Sequence, residues 1–209
     1  MKGLILKDLF VLKDVLKIYV VIFLFYGWMA LADGQTGLLM AIVFVCSTVR
    51  PVNALAYDER SHWDRVANTM PVSRRRIVLA KYLLSLLLAG ASSIMAGLVM
   101  VVGRIVPLVE IVASIVVMLA MGAVYQAVLI PIIYKFGSEK SRIIMVAAMM
   151  IPWLLFTALA KTGMVDFSVL TAFMDANTAV MPFIIVAVVA VVYTLSALLS
   201  INIYSKKEL

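Results

Sequence analysis

Long apolar runs separated by short polar breaks set the pattern of this chain. The runs are 18–32, 38–57 (interrupted at Arg50-Pro51), 77–102, 108–133, 143–160 and 180–204. Most are near or above the ~20 residues a helix needs to cross a bilayer. Their flanks carry the polar residues: Asp33-Gly34-Gln35-Thr36-Gly37, Gly103 to Pro107, and KFGSEKSR at 135–142. The pattern predicts an all-α integral membrane protein of six transmembrane helices, a single transmembrane domain over 1–209. The first run is short, and Val15 and Leu16 complete it. Asp8 and Asp14 in the long charged region before it argue for a retained span over a cleaved signal, despite Ala30-Leu31-Ala32.

Two segments have a different periodicity. In residues 1–17, MKGLILKDLFVLKDVLK, the positions Ile5, Leu9, Leu12 and Leu16 share one helical face, with Lys2, Lys7, Lys13, Asp14 and Lys17 interspersed. This predicts an interfacial amphipathic helix with its apolar face in the headgroup boundary. The alternative is a charged extension of the first span. In the polar stretch 57–81, Trp63, Val66, Ala67 and Met70 recur at i, i+3, i+4 and i+7 and form the apolar face of a short helix. Pro71 ends that helix, and Ser73 is placed to cap the next. Arg74-Arg75-Arg76 oppose the dipole of a helix starting there, so they are expected to anchor to lipid headgroups. The short helix either docks in a groove on a soluble partner or lies flat on lipid.

Composition narrows the function. The chain is 65% hydrophobic with a mean hydropathy of +1.12, too apolar for a single soluble core. Its net charge of +7 does not point to nucleic acid, because no aromatic residues interleave with the basic ones. Instead 16 of the 18 Lys and Arg fall on the amino end, the 50–81 segment, the 135–142 loop and the tail, leaving Arg104 and Lys161 opposite. By the positive-inside bias both termini and the 57–81 stretch are expected in the cytoplasm of a multi-pass plasma-membrane protein. The lone Cys46 sits in an apolar run and reads as a small buried hydrophobe.

No run carries an ionisable residue near its centre, which weakens an ion-coupled carrier. Tyr125 and Gln126 are the polar pair with a possible pathway role; the other deep hydroxyls read as helix-packing groups. The single His62 cannot form a two-His metal site, and there is no GxSxG and no Gly-Lys pair. No catalytic, cofactor or metal residue is expected, and the chain is not expected to be an enzyme. Energy for uphill transport would have to come from another subunit.

Asp58-Glu59, Trp63-Asp64, Met70-Pro71-Val72-Ser73-Arg74 and Lys81-Tyr82, placed after a second span, resemble the small permeases of ABC-2 type ABC transporters, as does the opening MKGLILKDLFVLKD. The resemblance covers the whole length and resembles most the permeases exporting phenol-soluble modulins or antimicrobial peptides. It implies a coupling helix around Arg60–Met70 within the segment 58–76. Asp58, Glu59, Arg60, Trp63, Asp64, Val66, Ala67, Met70 and Pro71 would be its ATPase-coupling residues, and Arg74, Arg75 and Arg76 membrane anchors. It implies two copies of a separate ATPase that bind ATP and Mg, a second copy or sister permease, and a hydrophobic or amphipathic cargo. Residues 161–178 would be an extracellular or re-entrant segment. The competing reading is a non-transporting scaffold or sensor that recruits a cytoplasmic partner through 57–81.

Overall fold

The computed structural model describes residues 2–34, 36–69, 72–162 and 180–206. It is a bundle of seven helices, with no strand among the described residues: α1 Lys2–Asp33, α2 Thr36–Arg60, α3 Trp63–Thr69, α4 Arg74–Gly103, α5 Leu108–Phe136, α6 Ser138–Thr162 and α7 Met181–Ser205. Five of them, α1, α2, α4, α5 and α7, are long and apolar enough to cross a membrane. Large apolar side chains lie open on the outside, Val102, Val109, Ile143 and Phe183 among them, each more than three-quarters exposed. Lipid tails are as apolar as these side chains, so the exposure carries no penalty in a bilayer.

Residues 1–17 do not form a separate helix in the membrane plane. No glycine or proline occurs between Gly3 and Gly27, and α1 runs unbroken for 32 residues, about 48 Å. The face shared by Ile5, Leu9, Leu12 and Leu16 is real but is turned inward. It packs with Ala54 of α2 and with Leu84 and Leu88 of α4, and Leu12 is fully buried. The segment is therefore the charged extension of the first span. The segment 161–178, expected to be extracellular or re-entrant, lies almost wholly outside the described residues, apart from the end of α6.

Pairwise contacts fix the directions of the helices. Asp8 meets Asp58 through shared lysines while Ala30 packs with Leu39 in another cluster, so α1 and α2 are antiparallel. Arg74 reaches Ser205 and Tyr82 reaches Ser200, so α4 and α7 are antiparallel. Along α5 and α7, Ala127 meets Ser196 and Tyr134 stacks edge-on with Tyr204 at 5.2 Å, so these two run parallel. Lys7, Asp58, Lys81, Lys135 and Lys206 thus gather at one end of the bundle, here called the basic end; Gly34 and Arg104 lie at the other.

A proline explains how α5 and α7 are locked. Pro131 lies inside α5 and has no N–H, so the carbonyl of Ala127, four residues earlier, loses its helical donor. In an apolar interior such an orphan must be satisfied elsewhere. The Ser196 hydroxyl donates to it at 2.5 Å. Ser196 has one proton, so the 2.7 Å contact between Tyr82 Oη and Ser196 Oγ must be donated by Tyr82. Tyr82 in turn must accept from Ser200 at 2.7 Å. The relay runs Ser200, Tyr82, Ser196, Ala127 and joins α7, α4 and α5.

Ser196→Ala is expected to destabilise the protein by about 1 kcal/mol, the size of interhelical hydrogen bonds in membranes. Pro131→Ala returns the missing N–H, so the double variant should lose less than the two singles summed, measured as unfolding in detergent. Strict additivity would show that Ser196 does not serve the proline gap.

Candidate functional site

Three helices bring four charges together at the basic end. Lys7 and Asp8 come from α1, Asp58 from the last turn of α2, and Lys81 from the third turn of α4. Lys81 Nζ lies 2.7 Å from Asp8 Oδ2 and 2.5 Å from Asp58 Oδ2. Lys7 Nζ lies 2.5 Å from Asp58 Oδ1 and 3.0 Å from Asp8 Oδ1. Each cation touches both anions and each anion both cations, so the four form a closed, net-neutral ring. Asp8, Lys81 and Asp58 are buried, and the Lys7 side chain is 23% exposed. Burying one such charge costs several kcal/mol unless it is paired with good geometry. Here every charge has two partners.

The sequence places these residues where they must meet. Asp8 lies three residues after Ile5 and four before Leu12, on the apolar stripe of α1 that packs against α2 and α4. Lys81 lies four residues after Ile77 and three before Leu84, on the buried face of α4. A charge set in an apolar stripe is carried into the helix interface with it. A pocket of about 30 Å³, lined by Asp58, Glu59, Lys81, Leu55, Ile77, Ile133 and Tyr134, adjoins the ring. It is large enough for a water molecule.

The ring holds the short helix α3. Lys7 Nζ sits 4.1 Å over the Trp63 ring, a cation–π contact. Trp63 is half-buried and packs on the core at the basic end, where Ala67 is buried. Between α2 and α3 the chain turns at His62, which takes the left-handed conformation (φ 50°). The N–H of Ser61 donates to Tyr57 O at 3.0 Å and that of His62 to Glu59 O at 3.2 Å, closing α2 tightly before the turn. Of the apolar face expected on α3, Trp63 and Ala67 are therefore taken up by the bundle, while Val66 points away and is 46% exposed.

Asp58 and Glu59, adjacent in sequence, serve opposite sides. Glu59 Oε2 accepts from the Ser138 N–H at 2.5 Å, the amino end of α6, where a carboxylate also suits the helix dipole. Gly137 makes this approach possible: its φ is +82°, and a Cβ there would lie 2.7 Å from Glu59 Oε1. The acidic pair thus links α1 and α4 on one side to the α5–α6 turn on the other.

The remaining residues singled out by sequence distribute as follows. Arg60 is exposed and lines a groove with Glu59, Ser138, Glu139 and Lys140. Asp64 lies on α3, but its side chain, with all of Met70 and Pro71, falls outside the described residues. Ser73 stands at the N-cap of α4 without a side-chain bond to it; its carbonyl accepts from the Arg76 N–H at 2.8 Å. Arg74 donates to the Ser205 carbonyl at 2.9 Å. A cation that opposes the dipole of α4 there complements the carboxyl end of α7. Arg75 and Arg76 are exposed. Tyr125 and Gln126 are buried in the bundle. Tyr125 packs edge-on against Phe44 at 5.7 Å, and Gln126 donates to Ser47 O at 2.9 Å and accepts from Tyr193 Oη at 3.3 Å. Lys7 and Asp8 are not among the site residues expected from the sequence; the signal that marks them is the charge at position 8 within the stripe of Ile5, Leu9 and Leu12.

A family model described as "ABC-2 family transporter protein" matches residues 3–205, nearly the whole chain. Comparison with curated proteins and with solved structures gave no match.

Asp8→Asn leaves two lysines facing one carboxylate and is expected to cost about 3 kcal/mol, the range for breaking a buried pair. Asp14→Asn, whose side chain is 87% exposed in its contact with Lys17, should change stability by no more than about 0.5 kcal/mol. Unfolding of both variants in the same detergent checks this. Equal losses would remove the ring from the account of stability.

Proposed function

The chain belongs to the ABC-2 transporter family, and we propose that it is the transmembrane permease subunit of an exporter driven by a separate ATPase. The observation that carries this reading is the placement of α3. It is a short helix at the basic end, seated through Trp63 on a charge ring that joins α1, α2 and α4. An ATPase subunit meeting the outward side of α3, around Arg60 and Val66, would push on Trp63 and so on three spans at once. The family's use of paired ATPases and paired permeases gives a working unit of two ATPase subunits with this chain and a second copy or a sister permease, with ATP and Mg bound outside this chain.

Six spans fit the helix directions. Because α5 and α7 run parallel, the chain must recross between them. The 25-residue α6, about 37 Å long, is the described element between them with the length to do so. The basic end would face the cytoplasm, as the distribution of 16 of 18 Lys and Arg favours. The cargo is read as hydrophobic or amphipathic, of the kind of a peptide toxin or antimicrobial peptide, since α4, α5 and α7 carry no charged residue at mid-length. A scaffold that recruits a cytoplasmic protein through the same helix is the competing reading. A P-loop subunit that co-purifies with the chain separates the two.

In the purified complex with its ATPase, Trp63→Ala should retain ATP hydrolysis while export of an amphipathic peptide from cells falls about tenfold or more. Trp63→Phe keeps an aromatic face for Lys7 and should retain most of the export. Unchanged export by Trp63→Ala at equal membrane expression would refute the coupling role.

A further inference from the structure

A second feature of the basic end has no part in the coupling reading. α5 and α7 part there and leave a groove of about 760 Å³ between them. Its floor on α5 is Ala127 and Pro131, and its wall on α7 is Leu199 and Ile203. Lys135 and Lys206 stand at its mouth, where both helices end. The spacing is regular. Leu199, Ile203 and Lys206 are i, i+4 and i+7 on α7, and Val128, Ile132 and Lys135 are i, i+4 and i+7 on α5. Two apolar stripes, each ending in a lysine, therefore face one slot. Ala127 and Pro131 keep its floor low, and the Ser196 bond to Ala127 holds the helices together at its inner end.

We propose that this groove binds one anionic phospholipid of the leaflet at the basic end, with an acyl chain along Pro131 and Ile203 and the phosphate between Lys135 and Lys206. Charge complementarity selects the occupant. Among the described residues lining the groove there is no carboxylate, and both lysines are exposed. From Ala127 to Lys135 the helix rises about 12 Å, so the groove runs from the headgroup level into the acyl region. Basic pockets between transmembrane helices hold anionic headgroups by the same combination of apolar walls and paired cations. A zwitterionic lipid would place its own ammonium beside the two lysines and is disfavoured.

The test is native mass spectrometry of the full chain, released from detergent with equal concentrations of dioleoyl-phosphatidylglycerol and dioleoyl-phosphatidylcholine. The expected result is one retained phosphatidylglycerol per chain, preferred over phosphatidylcholine on the order of tenfold. Lys135→Gln with Lys206→Gln should abolish the preference. Arg75→Gln with Arg76→Gln removes the same charge outside the groove and should keep it. Val128→Trp, which fills the slot from an exposed wall position, should prevent retention of either lipid without lowering the melting temperature. The proposal is overturned if wild type retains both lipids equally. It is overturned also if both double variants lose the preference alike, which would make the attraction diffuse. A lipid-free dimer that Val128→Trp disperses would assign the groove to a second copy and likewise overturn it.

Discussion

The arrangement of α1, α2, α3 and α4 at the basic end depends on the closed ring of Lys7, Asp8, Asp58 and Lys81. Four charges removed from water are tolerable only if each is fully paired, and full pairing requires α1, α2 and α4 to hold one relative position. Apolar packing between helices in lipid gives little such discrimination, because lipid tails compete equally for the same surfaces. The ring therefore supplies the directional term in this half of the bundle. It also converts α3 from a loose turn into a fixed element, since Trp63 rests on one of its lysines.

A second lock lies deeper. Pro131 removes a backbone donor, and the relay from Ser200 through Tyr82 and Ser196 fills the gap, joining α4, α5 and α7. α4 belongs to both locks through the adjacent residues Lys81 and Tyr82. A displacement of α3 felt at Lys81 thus reaches the helix that is hydrogen-bonded to α7. Glu59 adds the α5–α6 turn to the same assembly. In this arrangement the Lys81-Tyr82 pair is the junction between the ionic and the hydrogen-bonded halves.

Much of the fold is legible in the sequence because lipid imposes a simple rule. Apolar runs long enough to span became helices, and the 3.6-residue stripe of 1–17, with Trp63 and Ala67 of the short helix, marked positions that pack. What those stripes pack against was not legible. Ile5, Leu9, Leu12 and Leu16 meet α2 and α4 and not lipid, and Trp63 and Ala67 turn to the bundle. A stripe reports that a face is apolar, never whether lipid, a partner or the same chain covers it. Asp58 and Glu59 were legible as an acidic pair, but their partners lie 51 and 79 residues away, at Lys7 and Ser138. Nothing local announces such pairings. Asp8 could have been found as a charge within an apolar stripe, and Pro131 marks a carbonyl that needs a donor without saying that Ser196 supplies it.

The central claim is that the ring acts as one unit, and a double-mutant cycle on Asp58 and Lys81 tests it most directly. Asp58→Asn, Lys81→Gln and the double variant are unfolded in the same detergent, and the coupling free energy is taken from the four stabilities. The account predicts coupling above about 1 kcal/mol, with the double variant more stable than the sum of the single losses implies. Losses that add within about 0.5 kcal/mol would mean that the two residues act independently, and would contradict it.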